Sequence, residues 1–150
     1  MDGVERPRPA VEPAFNYDRP MAYIPPPLPW KRLSDLDPTH EYLLVLTHLP
    51  VKRLTSLPRF LAYTRRIQKQ LDAAPAGLIG YSLLAKPHRS RYWTLTAWSD
   101  AGSMRAFVRA SPHRDAMTRM REILPNFQTT QWTLIGAAVP PSWHDALARA

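Results

Sequence analysis

Residues 78–98 read LIGYSLLAKPHRSRYWTLTAW, and this stretch decides the fold. Leu78–Lys86 and Arg91–Trp98 are apolar runs, the second aromatic and β-branched, as strands are. Between them Pro87-His88-Arg89-Ser90 is a polar, proline-containing tip that turns the chain. Outward from this hairpin the period becomes helical on both sides. Upstream, Leu57, Phe60, Leu61, Thr64, Ile67 and Leu71 recur at helical spacing, with Arg59, Arg65, Arg66 and Lys69 on the other side. Thr55 or Ser56 is the expected cap, Pro58 fits a first turn, and Pro75 and Gly77 close the helix. Downstream, Ser99 is the expected cap of a helix that carries Met104, Phe107 and Val108 inward. Ser111-Pro112 restarts it, and His113, Met117, Met120 and Leu124 then share one face by i, i+3 and i+4 spacing.

Tyr42–Leu49 (YLLVLTHL) supplies a first buried strand, ended by Pro50, and Phe127–Ala138 a last one. Pro140-Pro141 leads into a short tail helix. The order is β-α-β-β-α-β, an α+β arrangement with an antiparallel sheet and both helices on one face. The opposite sheet face is expected to be bare and apolar, which calls for a partner and makes a homodimer the expected state.

Composition divides the 150 residues in two. Residues 1–41 hold 9 of the 17 prolines and a net charge of −2, while residues 42–150 carry +10. The first part is read as an extended Pro-rich arm and 42–150 as the globular domain. Pro25-Pro26-Pro27-Leu28-Pro29 favours polyproline II, and Phe15, Tyr17, Tyr23 and Trp30 suggest packing on the body or a partner. Pro26-Pro27-Leu28-Pro29-Trp30-Lys31 also has the spacing of a polyproline ligand followed by a cation.

No run of apolar residues has the length of a membrane span, and no signal-like segment opens the chain, so a cytoplasmic protein is expected. The absence of Cys excludes disulfides, thiolate metal sites and a thiol nucleophile. The arginines lie mostly on outer helix faces. Neither a helix-turn-helix spacing nor a stacking motif accompanies them, so nucleic acid is not the expected partner. One or two of these arginines, in a set that includes Arg105 and Arg109, are available for an anionic ligand such as haem propionates or a carboxylated substrate.

Gly77-Leu-Ile-Gly-Tyr81, Tyr92–Asp100, Met104–Phe107 and Ser111–Met117 together resemble the dimeric α/β-barrel superfamily, in particular its antibiotic-biosynthesis-monooxygenase type. In that type a strand ending in Trp leads into a helix with an inward Phe, followed by a His on the next helical turn. The resemblance covers about residues 42–138. It implies a ferredoxin-like subunit, a homodimer, and a pocket between helices and sheet for a small hydrophobic or aromatic ligand. Members include cofactor-independent oxygenases of aromatic polyketides and haem-degrading enzymes, so the implied cofactor is none or haem.

His113 is the leading candidate residue. The resemblance to the haem-degrading branch implies an iron ligand there, and neutral imidazole suits that role. Its residue chemistry alone suggests a general base or hydrogen-bond donor toward a phenolic substrate. His48, alternating with Leu44 and Leu46, either opposes His113 across the pocket or lies at an interface, because parity does not say which face is which. Trp98, Tyr92, Phe107 and Met117 are the expected substrate-lining residues. Asn126, following Pro125 at a helix end, is read as a cap. The alternative reading is a non-catalytic binding or assembly module whose arm tethers subunits or a partner protein.

Overall fold

The computed structural model of the chain describes residues 28–150. Nine regular elements follow one another there: β1 (Lys31–Arg32), β2 (Glu41–Pro50), α1 (Leu57–Asp72), β3 (Leu78–Lys86), β4 (Arg91–Trp98), α2 (Ala101–Arg109), α3 (His113–Met120), β5 (Gln128–Ile135) and α4 (Trp143–Leu147). The strands form one antiparallel sheet in the order β1-β3-β4-β2-β5. The hairpin of residues 78–98 is its centre, and β2 pairs along its length with both β4 and β5. The last strand ends at Ile135 instead of Ala138. Gly136–Ala138 turns as 3₁₀ helix, and the Gly136 and Ala137 amides donate to the His40 and Pro38 carbonyls.

Alternation along the strands splits the core between two faces. On one face Val45, Tyr81 and Trp98 pack against Leu71, Met104 and Phe107, while Leu49 and Tyr92 pack against Phe60, Ala116 and Met120. This face carries α1, α2 and α3. The neighbours of the inward positions rotate away: Leu61 and Val108, expected inside, are 41% and 40% exposed, because one residue along a helix turns the side chain by about 100°.

The opposite face carries Leu44, Leu46, Trp93, Leu95 and Ala97, and it is not bare. Trp30 and Leu36 from before β2, and Val139, Trp143 and Leu147 from after β5, pack on it. The chain's own flanks therefore cover surface that the strand pattern alone assigns to a partner. Ser82 ties both flanks to the sheet: its hydroxyl donates to the Leu28 carbonyl at 2.6 Å and accepts from Trp143 Nε1 at 3.1 Å.

Residues 28–34 run along the outer edge of β3. Lys31 and Arg32 pair with Tyr81 and Gly80, the Leu28 amide donates to Leu83, and the Leu33 amide to Ile79. Gly80 makes room for this: a Cβ there would lie 2.6 Å from the Lys31 carbonyl and 2.7 Å from the Trp30 ring. The Leu28–Lys31 half of the polyproline-ligand spacing is thus engaged on its own sheet. Pro25–Pro27, Phe15, Tyr17 and Tyr23 lie outside the described residues.

Three caps differ from the expected ones. At α3, Ser111, expected as the cap with Pro112 as first helical residue, gives its hydroxyl to Asp115 Oδ2 at 2.7 Å, and Pro112 takes the cap position. Asp100, not Ser99, caps α2, its Oδ1 accepting from the Ser103 amide at 2.7 Å. Ser56 makes no side-chain cap, because a 3₁₀ turn (Leu54–Ser56) already leads into α1 and holds Ser56 in helical conformation.

Candidate functional site

His113 is the first residue of α3, and two contacts fix it. Its amide donates to Gln70 Oε1 on α1 at 3.1 Å, and its Nδ1 lies 3.2 Å from the Val108 carbonyl of α2. A carbonyl only accepts, so the proton is assigned to Nδ1, and Nε2 is left as an acceptor. Burial pushes the imidazole pKa below its ordinary 6.5, and the Val108 bond offsets this in part. The ring is therefore neutral at physiological pH. Phe107 stands 5.2 Å from it and Trp98 5.2 Å from Phe107, so the Trp–Phe–His pattern of the sequence is a contact series in space.

The imidazole stands where two cavities meet. An inner one of about 60 Å³, between the sheet and α1 and α3, is lined by Thr47, Thr64, Gln68, Thr94, Met117 and His113. It has room for a few waters or a small diatomic molecule. An outer groove of about 450 Å³, toward β5, shares Thr47, His113 and Met117 with it and adds Met104, Arg105, Val108, Arg109, Phe127 and Gln131. That volume lies in the range of small-molecule sites. A third cavity of about 260 Å³ meets the inner one at Thr64, Gln68 and Thr94, and opens beside Leu28 and Arg65.

Of the expected site residues, His113 and Met117 line the groove itself. Phe107 stands behind the imidazole. Trp98, 1% exposed, lies one layer deeper and gives its Nε1–H to Thr96 Oγ1 at 2.9 Å, so it supports the site without lining it. Tyr92 packs on Phe60 at 4.7 Å and borders the third cavity, with its phenol pKa raised by burial. His48 is on the other face of the sheet, stacked on Trp93 at 4.8 Å and 14°. It does not oppose His113, because it shares parity with Leu44 and Leu46, on the face away from α1, α2 and α3. Its Nε2 is buried without a partner, and burial followed by the charge of Arg91 lowers its pKa. Asn126 is exposed.

Several site residues were missed by sequence reasoning. Thr94 shares strand parity with Tyr92 and Trp98, a signal that was present. Arg105 and Arg109 belonged to the outer-face arginines offered to an anionic ligand without being singled out, and Gln70 and Gln131 carried no signal, because their places follow from how α1 and β5 meet the site.

The donor chemistry also meets what haem requires. His113 Nε2 would hold the iron, Val108, Met117 and Phe127 would give apolar walls, and Arg105 and Arg109 would be available to the propionates. Bound there, haem would supply dioxygen binding. Among the described residues no cluster of His, Asp and Glu forms a metal site, and no helix is long and apolar enough to cross a membrane.

No family model matches the sequence, and no curated protein does. Solved structures do. A protein of Fusobacterium nucleatum, provisionally named a monooxygenase, aligns over 70% of this chain at 12% identity with a TM-score of 0.58. The aligned part spans 46% of that protein, about half its length. A provisional antibiotic biosynthesis monooxygenase of Chloroflexus aurantiacus aligns over 63% of this chain and 94% of its own, at 12% identity and TM-score 0.52. A dimeric ferredoxin-like protein of unknown function from Thermobifida fusca aligns over 67% and 97%, at 15% identity and TM-score 0.54. At these identities the likeness establishes the fold alone: the chain has a ferredoxin-like α+β fold.

Proposed function

We propose that this ferredoxin-like chain is a small oxygenase-like enzyme acting on a hydrophobic or aromatic substrate in the groove beside His113. One observation carries the reading: an imidazole fixed through Nδ1, on a residue whose amide is held by Gln70, lines both an apolar groove and a small inner cavity. His113 takes a phenolic proton at Nε2, which makes the ring electron-rich and able to reduce dioxygen. Burial lowers the imidazole pKa from the ordinary 6.5, which keeps Nε2 unprotonated and open to a proton while making it a weaker base. Thr47, Thr64, Gln68 and Thr94 join His113 as the polar residues of the inner cavity, the compartment suited to dioxygen or water. Homodimer formation in the cytoplasm belongs to the same reading, supported by the dimeric Thermobifida protein.

The test is oxygen uptake with hydroxylated naphthalenes, with wild type and His113→Ala compared, alongside a haemin titration. Uptake lost in His113→Ala supports a cofactor-independent base. A Soret shift that the same variant removes assigns the haem form. Neither uptake nor a Soret shift in wild type refutes the enzyme reading and favours the assembly module.

A further inference from the structure

The groove beside His113 has an uneven charge. Arg105 and Arg109 stand four residues apart on α2, so one helix side presents both to it. Among the described residues no carboxylate lines the groove, and the ion pairs there, Lys31–Asp72, Arg32–Asp35 and Arg114–Asp115, involve neither arginine. The remaining wall is apolar at Met104, Val108 and Phe127, with the uncharged Thr129 and Gln131 of β5 across from it. Two exposed guanidinium groups with no counter-charge among the described residues, at a largely apolar groove of about 450 Å³, complement an apolar molecule that carries an anion. Guanidinium pairs a planar carboxylate in a two-pronged geometry, which a neutral ring does not satisfy.

We infer that the groove selects an aryl acid: a fused or substituted aromatic ring system whose carboxylate sits on Arg105 and Arg109 while its hydroxylated ring lies against His113. The inference rests on the substrate-site reading of this groove and narrows it from any hydrophobic molecule to an anionic aromatic one. Charge selection is separate from proton transfer, since the arginines bind and His113 accepts the proton.

Fluorescence titration with two probes tests it: 8-anilinonaphthalene-1-sulfonate, an aryl anion, and N-phenyl-1-naphthylamine, its uncharged parent. Wild type is expected to bind the anion more tightly. Arg105→Gln with Arg109→Gln is expected to weaken the anion about tenfold or more while leaving the neutral probe unchanged. Arg65→Gln, at the third cavity, is expected to change neither. 1-Hydroxy-2-naphthoic acid should displace the anionic probe from wild type, and 1-naphthol should do so far less well. Equal affinity for both probes in wild type, or equal loss of both in the double variant with an unchanged melting curve, overturns the inference. If charge selection fails while His113→Ala still abolishes oxygen uptake, only the aryl-acid assignment falls. If selection holds without oxygen uptake, the groove is an aryl-acid binding site and the oxygenase reading falls.

Discussion

Ser82 offers the most direct test of how the chain's flanks hold to the sheet. It is 4% exposed and is the one buried polar residue among the described residues. Ser82→Ala keeps the strand and removes one oxygen. That oxygen donates to the Leu28 carbonyl at 2.6 Å and accepts from Trp143 Nε1 at 3.1 Å, so two partners are orphaned at once. Leaving a buried polar group unpaired costs about 1–3 kcal/mol. Leu28 is 46% exposed, so water replaces the bond on that side, and most of the loss falls on the half-buried Trp143 indole. We expect a total of about 2 kcal/mol, which for a chain of this size lowers Tm by about 4–8 °C. Urea unfolding of wild type, Ser82→Ala, Trp143→Phe and the double variant gives the coupling. An interaction energy of about 1 kcal/mol is expected between the two sites. Additive single variants, or a Ser82→Ala loss below about 0.5 kcal/mol, would refute the reasoning.

The other expectations are shorter. Gly80→Ala places a Cβ 2.6 Å from the Lys31 carbonyl and should destabilise by about 1–3 kcal/mol; hydrogen exchange at Leu33 and Ser34 should rise, and unchanged protection there counts against the β1–β3 pairing. Asp100→Ala removes the α2 cap and should cost about 1 kcal/mol, whereas Ser99→Ala should cost less; the reverse ranking in thermal melts would restore Ser99 as the cap. The pH dependence has a definite sign. Burial holds the pKa of His113 and of His48 below 6.5 in the native state, so below about pH 6.5 the unfolded chain binds more protons. Stability should therefore fall as pH drops from about 6.5 toward the native-state values, ahead of carboxylate titration. A flat stability profile between about pH 7 and 5 would contradict the lowered pKa of these half-buried imidazoles.

The central hairpin was legible because its apolar runs are bounded by a short polar tip. His113 was legible because Met117 and Met120 repeat at its helical spacing. His48 was not, and the reason is physical: β2 is apolar on both sides, with Leu43 and Val45 against Leu44 and Leu46, so the period of two that would orient it is erased. Ser99 and Asp100 are adjacent cap formers, and sequence does not choose between them. The covering of the second sheet face depended on Trp30 and Trp143, which lie on either side of the β-α-β-β-α-β core and leave no local pattern. The arginines of the groove read as an outer helix side, which they are. That this side borders a cavity depends on β5 extending the sheet beyond the helices.

The two sheet faces differ in how far along the chain their contacts reach, and that sets an order for folding. On the helical face, α1 directly precedes β3 and α2 directly follows β4, so much of that half closes through short loops. The other layer needs Trp30 and Trp143 together on one sheet, and closing so long a span is entropically slow. The helical half should therefore form first and the flanking layer last. In reverse, opening of α4 and β1 can proceed while α2 and α3 stay docked. The His113 groove is then insulated from the fraying of the chain's flanks, so ligand binding there should persist under mild denaturation that already exposes Trp143.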